Sequence, residues 1–182
     1  MMDDLGHDPH LILVGLMGAG KSTVGELCAR RMGRPFIDTD ELVETAAGMT
    51  IAELFTVSGE GRFRAMEREA LTDACASPRP AVIACGGGAV VHADNRRTLK
   101  TGGFVVWLQA DPDVLADRVG RGAARAERPL LSGTPAATLE RLAQVREGAY
   151  AAVANEVVDT SHQSPAEVAD AVIAAYEQSG PS

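Results

Sequence analysis

The sequence is poor in aromatic side chains and almost lacks lysine. Aromatic residues make up 4% of the chain, so aliphatic side chains must fill most of the core. Lys21 and Lys100 are the only lysines, and the formal net charge at pH 7 is -8. Proteins that bind nucleic acids in general present a basic surface to the phosphates. The charge therefore argues against general nucleic-acid binding.

Cysteine is also scarce, and long apolar runs are absent. Cys28, Cys75 and Cys85 are odd in number and widely spaced, which argues against a disulfide framework and against a zinc site. No apolar run approaches the ~20 residues of a membrane-spanning helix, and the N-terminus lacks the pattern of a signal peptide. We therefore expect a cytoplasmic protein that contacts no membrane.

The pattern of apolar residues predicts one α/β domain over residues 1–182, with helices on both faces of a parallel sheet. Apolar segments rich in β-branched residues predict five strands, at residues 11–15, 35–38, 81–85, 104–108 and 155–159. Helical periodicity predicts seven helices, at residues 22–32, 41–47, 51–76, 94–100, 114–119, 136–152 and 165–177. A three-layer architecture follows.

A phosphate-binding loop connects the first strand to the first helix. The segment Gly15-Leu-Met-Gly-Ala-Gly-Lys-Ser22 matches G-x-x-x-x-G-K-[ST]. Its glycines let backbone N–H groups face a phosphate, and the helix N-terminus adds partial positive charge. Lys21 would bridge the β- and γ-phosphates, and the Ser22 hydroxyl would bind Mg²⁺. No Asn-Lys-x-Asp element follows, so ATP is favoured over GTP.

Two carboxylates, Asp38 and Asp40, close the second predicted strand. Residues two apart in an extended chain point the same way, so both carboxylates could reach one cavity. Asp38 would hold Mg²⁺, while Asp40 would orient or deprotonate an attacking hydroxyl. The alternative is that Asp40 only caps the following helix.

A triple glycine, Gly86-Gly87-Gly88, follows the third predicted strand. Open α/β sheets bind ligands at this carboxyl end, and bare backbone permits close approach of a ligand. The alternative is a tight turn. The glycines occupy the position of the usual Walker-B acid, which leaves Asp38 as the expected metal partner.

Arginines provide two further candidate sites, one for binding a carboxylate and one for contacting the transferring phosphoryl group. Arg64 precedes Glu67 by three residues, a helical spacing that lets the carboxylate hold a guanidinium suited to binding a planar carboxylate. The alternative is a surface salt bridge. Residues 120–133 form a predicted lid that carries cations to the transferring phosphoryl group, or else a solvated loop. The arginines in and beside it are Arg118, Arg121, Arg125 and Arg128.

Taken together and in this order, these motifs resemble those of the shikimate kinase family. The resemblance covers about residues 10–165. The resemblance implies a nucleoside-monophosphate-kinase-like fold, with a parallel sheet in the order 2-3-1-4-5, a substrate-binding helical region at about residues 39–77 and a closing lid. It also implies an enzyme that phosphorylates the 3-hydroxyl of shikimate with ATP and Mg²⁺, a step toward chorismate and the aromatic amino acids. We further expect a monomer.

The resemblance also assigns roles to individual residues. The residues expected to take part in catalysis are Lys21, Asp40 and Arg128. The residues expected to bind shikimate are Asp40, Arg64, Gly86, Gly87, Gly88 and Arg146. The residues expected to bind the nucleotide are Gly18, Ala19, Gly20, Lys21, Ser22, Thr23, Arg118 beside the adenine, and Arg128. The expected Mg²⁺ partners are Ser22 and Asp38.

Two other functions fit parts of this pattern. A gluconate-type kinase of the same fold would also need an arginine clamp, because gluconate carries a carboxylate and hydroxyls. A non-catalytic nucleotide-binding regulator should lack the substrate-side residues Asp40, Arg64 and Arg146. The Asp-Thr-Asp segment and the triple glycine favour shikimate over gluconate, and the presence of the three substrate-side residues argues against a regulator.

Overall fold

The computed structural model describes residues 8–121 and 135–180. Most of the predicted lid, with Arg125 and Arg128, lies outside the described residues. Over the described ranges, the chain forms five strands and seven helices, and each lies within two residues of its predicted bounds. None of the helices in these ranges is long and apolar enough to cross a bilayer.

The sheet is parallel throughout and has the order β2-β3-β1-β4-β5, which confirms the expected topology. The strands are β1 His10–Val14, β2 Phe36–Asp38, β3 Val82–Ala84, β4 Gly103–Gln109 and β5 Glu156–Asp159. The central strand β1 is buried along its whole length, as expected for a strand covered on both faces. This arrangement places the carboxyl ends of β1, β2 and β3 side by side.

The helices are α1 Lys21–Met32, α2 Thr39–Ala47, α3 Ile51–Cys75, α4 Ala93–Gly102, α5 Pro112–Arg121, α6 Pro135–Val153 and α7 Pro165–Gln178. Local sequence signals fix several helix ends. Thr50 and Ser164 begin α3 and α7 with capping boxes, and Gly33 ends α1 in the left-handed conformation. Gly59 interrupts α3 with non-helical torsion angles of φ 77° and ψ 172°.

The described residues form two hydrophobic cores. The larger core surrounds the sheet and includes most of the apolar residues of β1, β3 and β4. A smaller core joins α2 to α3, and its buried members are Val43, Leu54, Phe63, Met66 and Ala70. This second core lies within residues 39–77, the range predicted to bind substrate, and it holds α3 beside the carboxyl end of the sheet.

Candidate active site

A cleft of about 670 Å³ opens at the carboxyl end of the sheet. It gathers every predicted site residue that the structure describes: Gly18, Ala19, Gly20, Lys21, Ser22, Thr23, Asp38, Asp40, Arg64, Gly86, Gly87, Gly88, Arg118 and Arg146. The remaining predicted site residue, Arg128, lies outside the described ranges. Parallel strands end on one edge of the sheet, so motifs far apart in sequence meet there.

The phosphate loop forms one end of the cleft. Gly18 and Gly20 have φ angles of 83° and 91°, a left-handed region that favours glycine. Gly20 immediately precedes α1, so the loop leads into the N-terminus of this helix. The Lys21 ammonium donates to the carbonyl of Leu16, 2.9 Å away, and therefore folds over the loop. The backbone and the lysine both suit a phosphate chain.

Asp38 links the phosphate loop to α2. Its Oδ2 accepts a hydrogen bond from the Ser22 hydroxyl at 2.7 Å, and its Oδ1 accepts one from the Asp40 amide at 2.9 Å. Asp38 is therefore the cap of α2, and the alternative in which Asp40 caps the helix is wrong. The hydroxyl and the carboxylate are hard oxygen ligands of the kind that Mg²⁺ prefers.

Asp40 lies in the first turn of α2 and not in an extended segment, so the two-residue spacing of a strand is not what brings it into the cleft. The extended geometry predicted for Asp38 and Asp40 was therefore wrong. Asp38 caps α2, so the helix begins at Thr39, two residues earlier than predicted. The Asp40 Oδ1 atom is buried, with no hydrogen-bond partner among the described residues. Burial and the neighbouring charge of Asp38 raise the pKa of Asp40 to about 6, against the lowering effect of Lys21.

Arg64 is held in a fixed position on α3. Its Nη1 lies 2.9 Å from Oε2 of Glu67, and its Nη2 lies 3.2 Å from Oε1 of Glu60. The predicted pairing with Glu67 is confirmed. The surface salt bridge that was its alternative is wrong, since the Glu67 side chain is only 1% exposed. The guanidinium also lies 5.1 Å from the centre of the Phe63 ring. These contacts orient a partly buried cation at the edge of the cleft.

The triple glycine packs against these charged groups. A Cβ atom on Gly86 would lie 2.5 Å from Oδ1 of Asp40 and 3.0 Å from Oε1 of Glu67. A Cβ atom on Gly88 would overlap the guanidinium of Arg64. A tight turn alone would not require the absence of side chains at these positions. The missing side chains leave the space in which Asp40, Glu67 and Arg64 come together.

Arg118 of α5 lies against the phosphate loop at Gly18. Its guanidinium donates to the backbone oxygen of Thr160 at 2.5 Å, to the Thr160 hydroxyl at 2.9 Å and to the Gly18 carbonyl at 3.4 Å. These contacts place it beside the loop, where a nucleotide base could lie. The role beside the adenine stays a prediction.

The family model for shikimate kinase matches residues 17–177. The chain belongs to the shikimate kinase family. It is 45% identical over 172 residues to the shikimate kinase of Symbiobacterium thermophilum, an alignment that covers 94% of this chain and 98% of that one. Members of the family are ATP-dependent kinases, which agrees with the phosphate loop.

Solved structures of shikimate kinases share the fold. The structure of shikimate kinase from Acinetobacter baumannii in complex with shikimate has a TM-score of 0.90 and 34% identity, and the match covers 96% of each chain. A gluconokinase from Sinorhizobium meliloti is 24% identical, with a TM-score of 0.58. At that identity the likeness shows the fold alone, so it adds nothing to the gluconate alternative.

Sequence reasoning missed two residues that support the shikimate kinase cleft. Thr160 follows β5 and holds Arg118, and Tyr150 on α6 donates to the carbonyl of Gly87 at 2.6 Å. Tyr150 follows Arg146 by four residues, which places both on one face of the helix. That spacing was the available signal for Tyr150. For Thr160 the signal was its position at the carboxyl end of a strand.

Proposed function

We propose that this chain transfers the γ-phosphoryl group of ATP to the 3-hydroxyl of shikimate, giving shikimate 3-phosphate and ADP. One observation carries the proposal: the buried Oδ1 of Asp40, which has no hydrogen-bond partner in the described part of the chain, lies across the triple glycine from a guanidinium fixed by Glu67. A base for a hydroxyl and a cation for a carboxylate thus face the same cleft as the phosphate loop.

At the nucleotide end, the loop amides and Lys21 would bind the β- and γ-phosphates and stabilise charge as the phosphoryl group moves. Ser22 and Asp38 would hold Mg²⁺, which neutralises phosphate charge when it is bound. Their 2.7 Å contact brings two suitable oxygens together beside the loop. Arg118 would lie beside the adenine. By resemblance, Arg128 would reach the transferring group from the lid.

At the substrate end, Arg64 and Arg146 would bind the shikimate carboxylate, while Gly86, Gly87 and Gly88 let the ring approach the backbone. The 3-hydroxyl oxygen would attack the γ-phosphorus, and its proton would pass to Asp40. The bond from the γ-phosphorus to the bridging oxygen would break, which releases ADP. An elevated pKa makes the Asp40 carboxylate a stronger base than an exposed one, as general-base catalysis needs.

We expect ADP release from ATP and Mg²⁺ to depend on shikimate. A coupled ADP-release assay with shikimate, gluconate and nucleoside monophosphates measures this directly, and phosphorus NMR of the product locates the phosphate on the 3-hydroxyl. Turnover with gluconate and none with shikimate would establish the gluconate-type alternative. ATP binding without turnover on any acceptor would instead indicate a nucleotide-binding regulator.

We expect Gly88→Ala to raise the KM for shikimate because the new methyl group would displace the guanidinium of Arg64. Misplacing a binding group by about 1 Å costs up to about 10²-fold, so we expect an increase of about 10- to 100-fold. Gly148→Ala is the matched control, since a Cβ there meets nothing within 4 Å. Steady-state kinetics with both variants checks the prediction, and equal KM values would contradict it.

A further inference from the structure

Two buried side chains donate to the carbonyl oxygen of Gly87. Arg146 Nη1 lies 3.0 Å from this oxygen, and the Tyr150 hydroxyl lies 2.6 Å from it. Arg146 is 7% exposed and Tyr150 is 1% exposed. The carbonyl is therefore covered by two donors from one face of α6, and one of them is the arginine proposed to bind substrate.

Tyr150 is itself held firmly. Its ring stacks on Trp107 of β4, with ring centres 5.3 Å apart and planes at 17°. Burial raises the pKa of Tyr150 well above its usual range, so the hydroxyl stays protonated and serves as a donor. Its burial and its contact with Trp107 hold the ring in place, and we therefore infer that Tyr150 is the fixed donor of the pair.

The position of Gly87 matters to both halves of the cleft. A Cβ atom on Gly87 would lie 3.4 Å from the amide nitrogen of Met17 and 3.5 Å from the carbonyl oxygen of Gly15, so this residue packs on the phosphate loop. Its neighbours Gly86 and Gly88 pack against Asp40 and Arg64. A shift of the Gly87 peptide would therefore disturb the phosphate loop and the substrate side together.

We propose that Tyr150 is a positioning residue for substrate binding. Its hydroxyl keeps the Gly87 carbonyl hydrogen-bonded when Arg146 turns from that carbonyl to the substrate carboxylate. This inference rests on the proposed function, because it needs an anionic substrate group at Arg146. Without Tyr150, each binding event would leave a covered carbonyl without a donor.

We expect Tyr150→Phe to raise the KM and the dissociation constant for shikimate by about 5- to 100-fold, which is the usual effect of leaving a buried acceptor without a hydrogen-bond donor. The phenylalanine keeps the ring stacked on Trp107. The effect falls equally on the bound ground state and the transition state, so kcat should be unchanged. ATP affinity should also be unchanged, because Arg146 still holds the carbonyl while shikimate is absent.

A double-mutant cycle with Arg146→Ala separates this role from simple structural support. In the Arg146→Ala background no arginine leaves the carbonyl, so adding Tyr150→Phe should not weaken shikimate binding further. A structural role would instead lower affinity by the same factor in both backgrounds. Tyr176→Phe is the matched control, since it removes a buried tyrosine hydroxyl that donates to the Pro9 carbonyl at 2.7 Å, away from the cleft.

Isothermal titration of shikimate and of ATP into each variant, with thermal melting to confirm folding, provides the test. If the double variant does not fold, the shikimate methyl ester replaces it as a probe, because an uncharged ester does not draw Arg146 away. Tyr150→Phe should then weaken binding of the acid more than binding of the ester. Equal shikimate affinity in Tyr150→Phe and the unmutated protein would overturn the inference alone, whereas no shikimate binding by the unmutated protein would overturn the proposed function.

Discussion

Asp40→Asn is expected to lower kcat by about 10² to 10⁴-fold, the usual contribution of a general base. Asparagine keeps the shape of the side chain but cannot accept the proton of the attacking hydroxyl. The backbone cap of α2 belongs to Asp38 and should survive the change, so the helix and the phosphate loop should keep their positions. ATP affinity should therefore persist while turnover falls.

Single-turnover kinetics and ATP titration on the same preparation check this expectation. Asp94→Asn is the matched control, because Asp94 occupies the first turn of α4 with its side chain 68% exposed. A near-normal kcat in Asp40→Asn would remove Asp40 from proton transfer and leave it as a group that only orients the substrate. A loss of ATP binding equal to the loss of kcat would contradict a role confined to the substrate side.

Arg64→Ala is expected to weaken shikimate binding by about 30-fold to several thousand-fold, since truncating one partner of a buried charge pair commonly costs ~2 to 5 kcal/mol. Arg64 lies outside the phosphate loop, so ATP affinity should change little. Removing the guanidinium also strands the buried carboxylate of Glu67, which destabilises the fold. Arg64→Ala combined with Glu67→Gln removes that stranded charge and keeps the binding test valid.

Calorimetric titration of shikimate and its methyl ester measures the effect. The unmutated protein should prefer the acid strongly, and Arg64→Ala should lose most of that preference. Arg62→Ala supplies the matched control, because Arg62 is an exposed arginine on the same helix. An unchanged preference for the acid in Arg64→Ala would remove Arg64 from the carboxylate clamp and leave Arg146 as the candidate.

Most of the secondary structure could be predicted because its signals are local. Helical periodicity and short apolar runs marked the helices and strands. The phosphate loop was equally readable, because its glycines and Lys21 act within one continuous segment. The order of the strands in the sheet was predicted from the family resemblance, because no local pattern encodes it.

The sequence by itself thus determined the element pattern, the phosphate loop and the family. Only the tertiary structure decided the contacts through which the site residues are held. Asp38 caps α2 and moves Asp40 out of the strand, and the Gly86 amide bonds to the Thr39 hydroxyl, 47 residues away. Tyr150 reaches Gly87 across 63 residues. Such contacts depend on how helices pack on the sheet, and no local pattern encodes a distance between segments that only folding brings together.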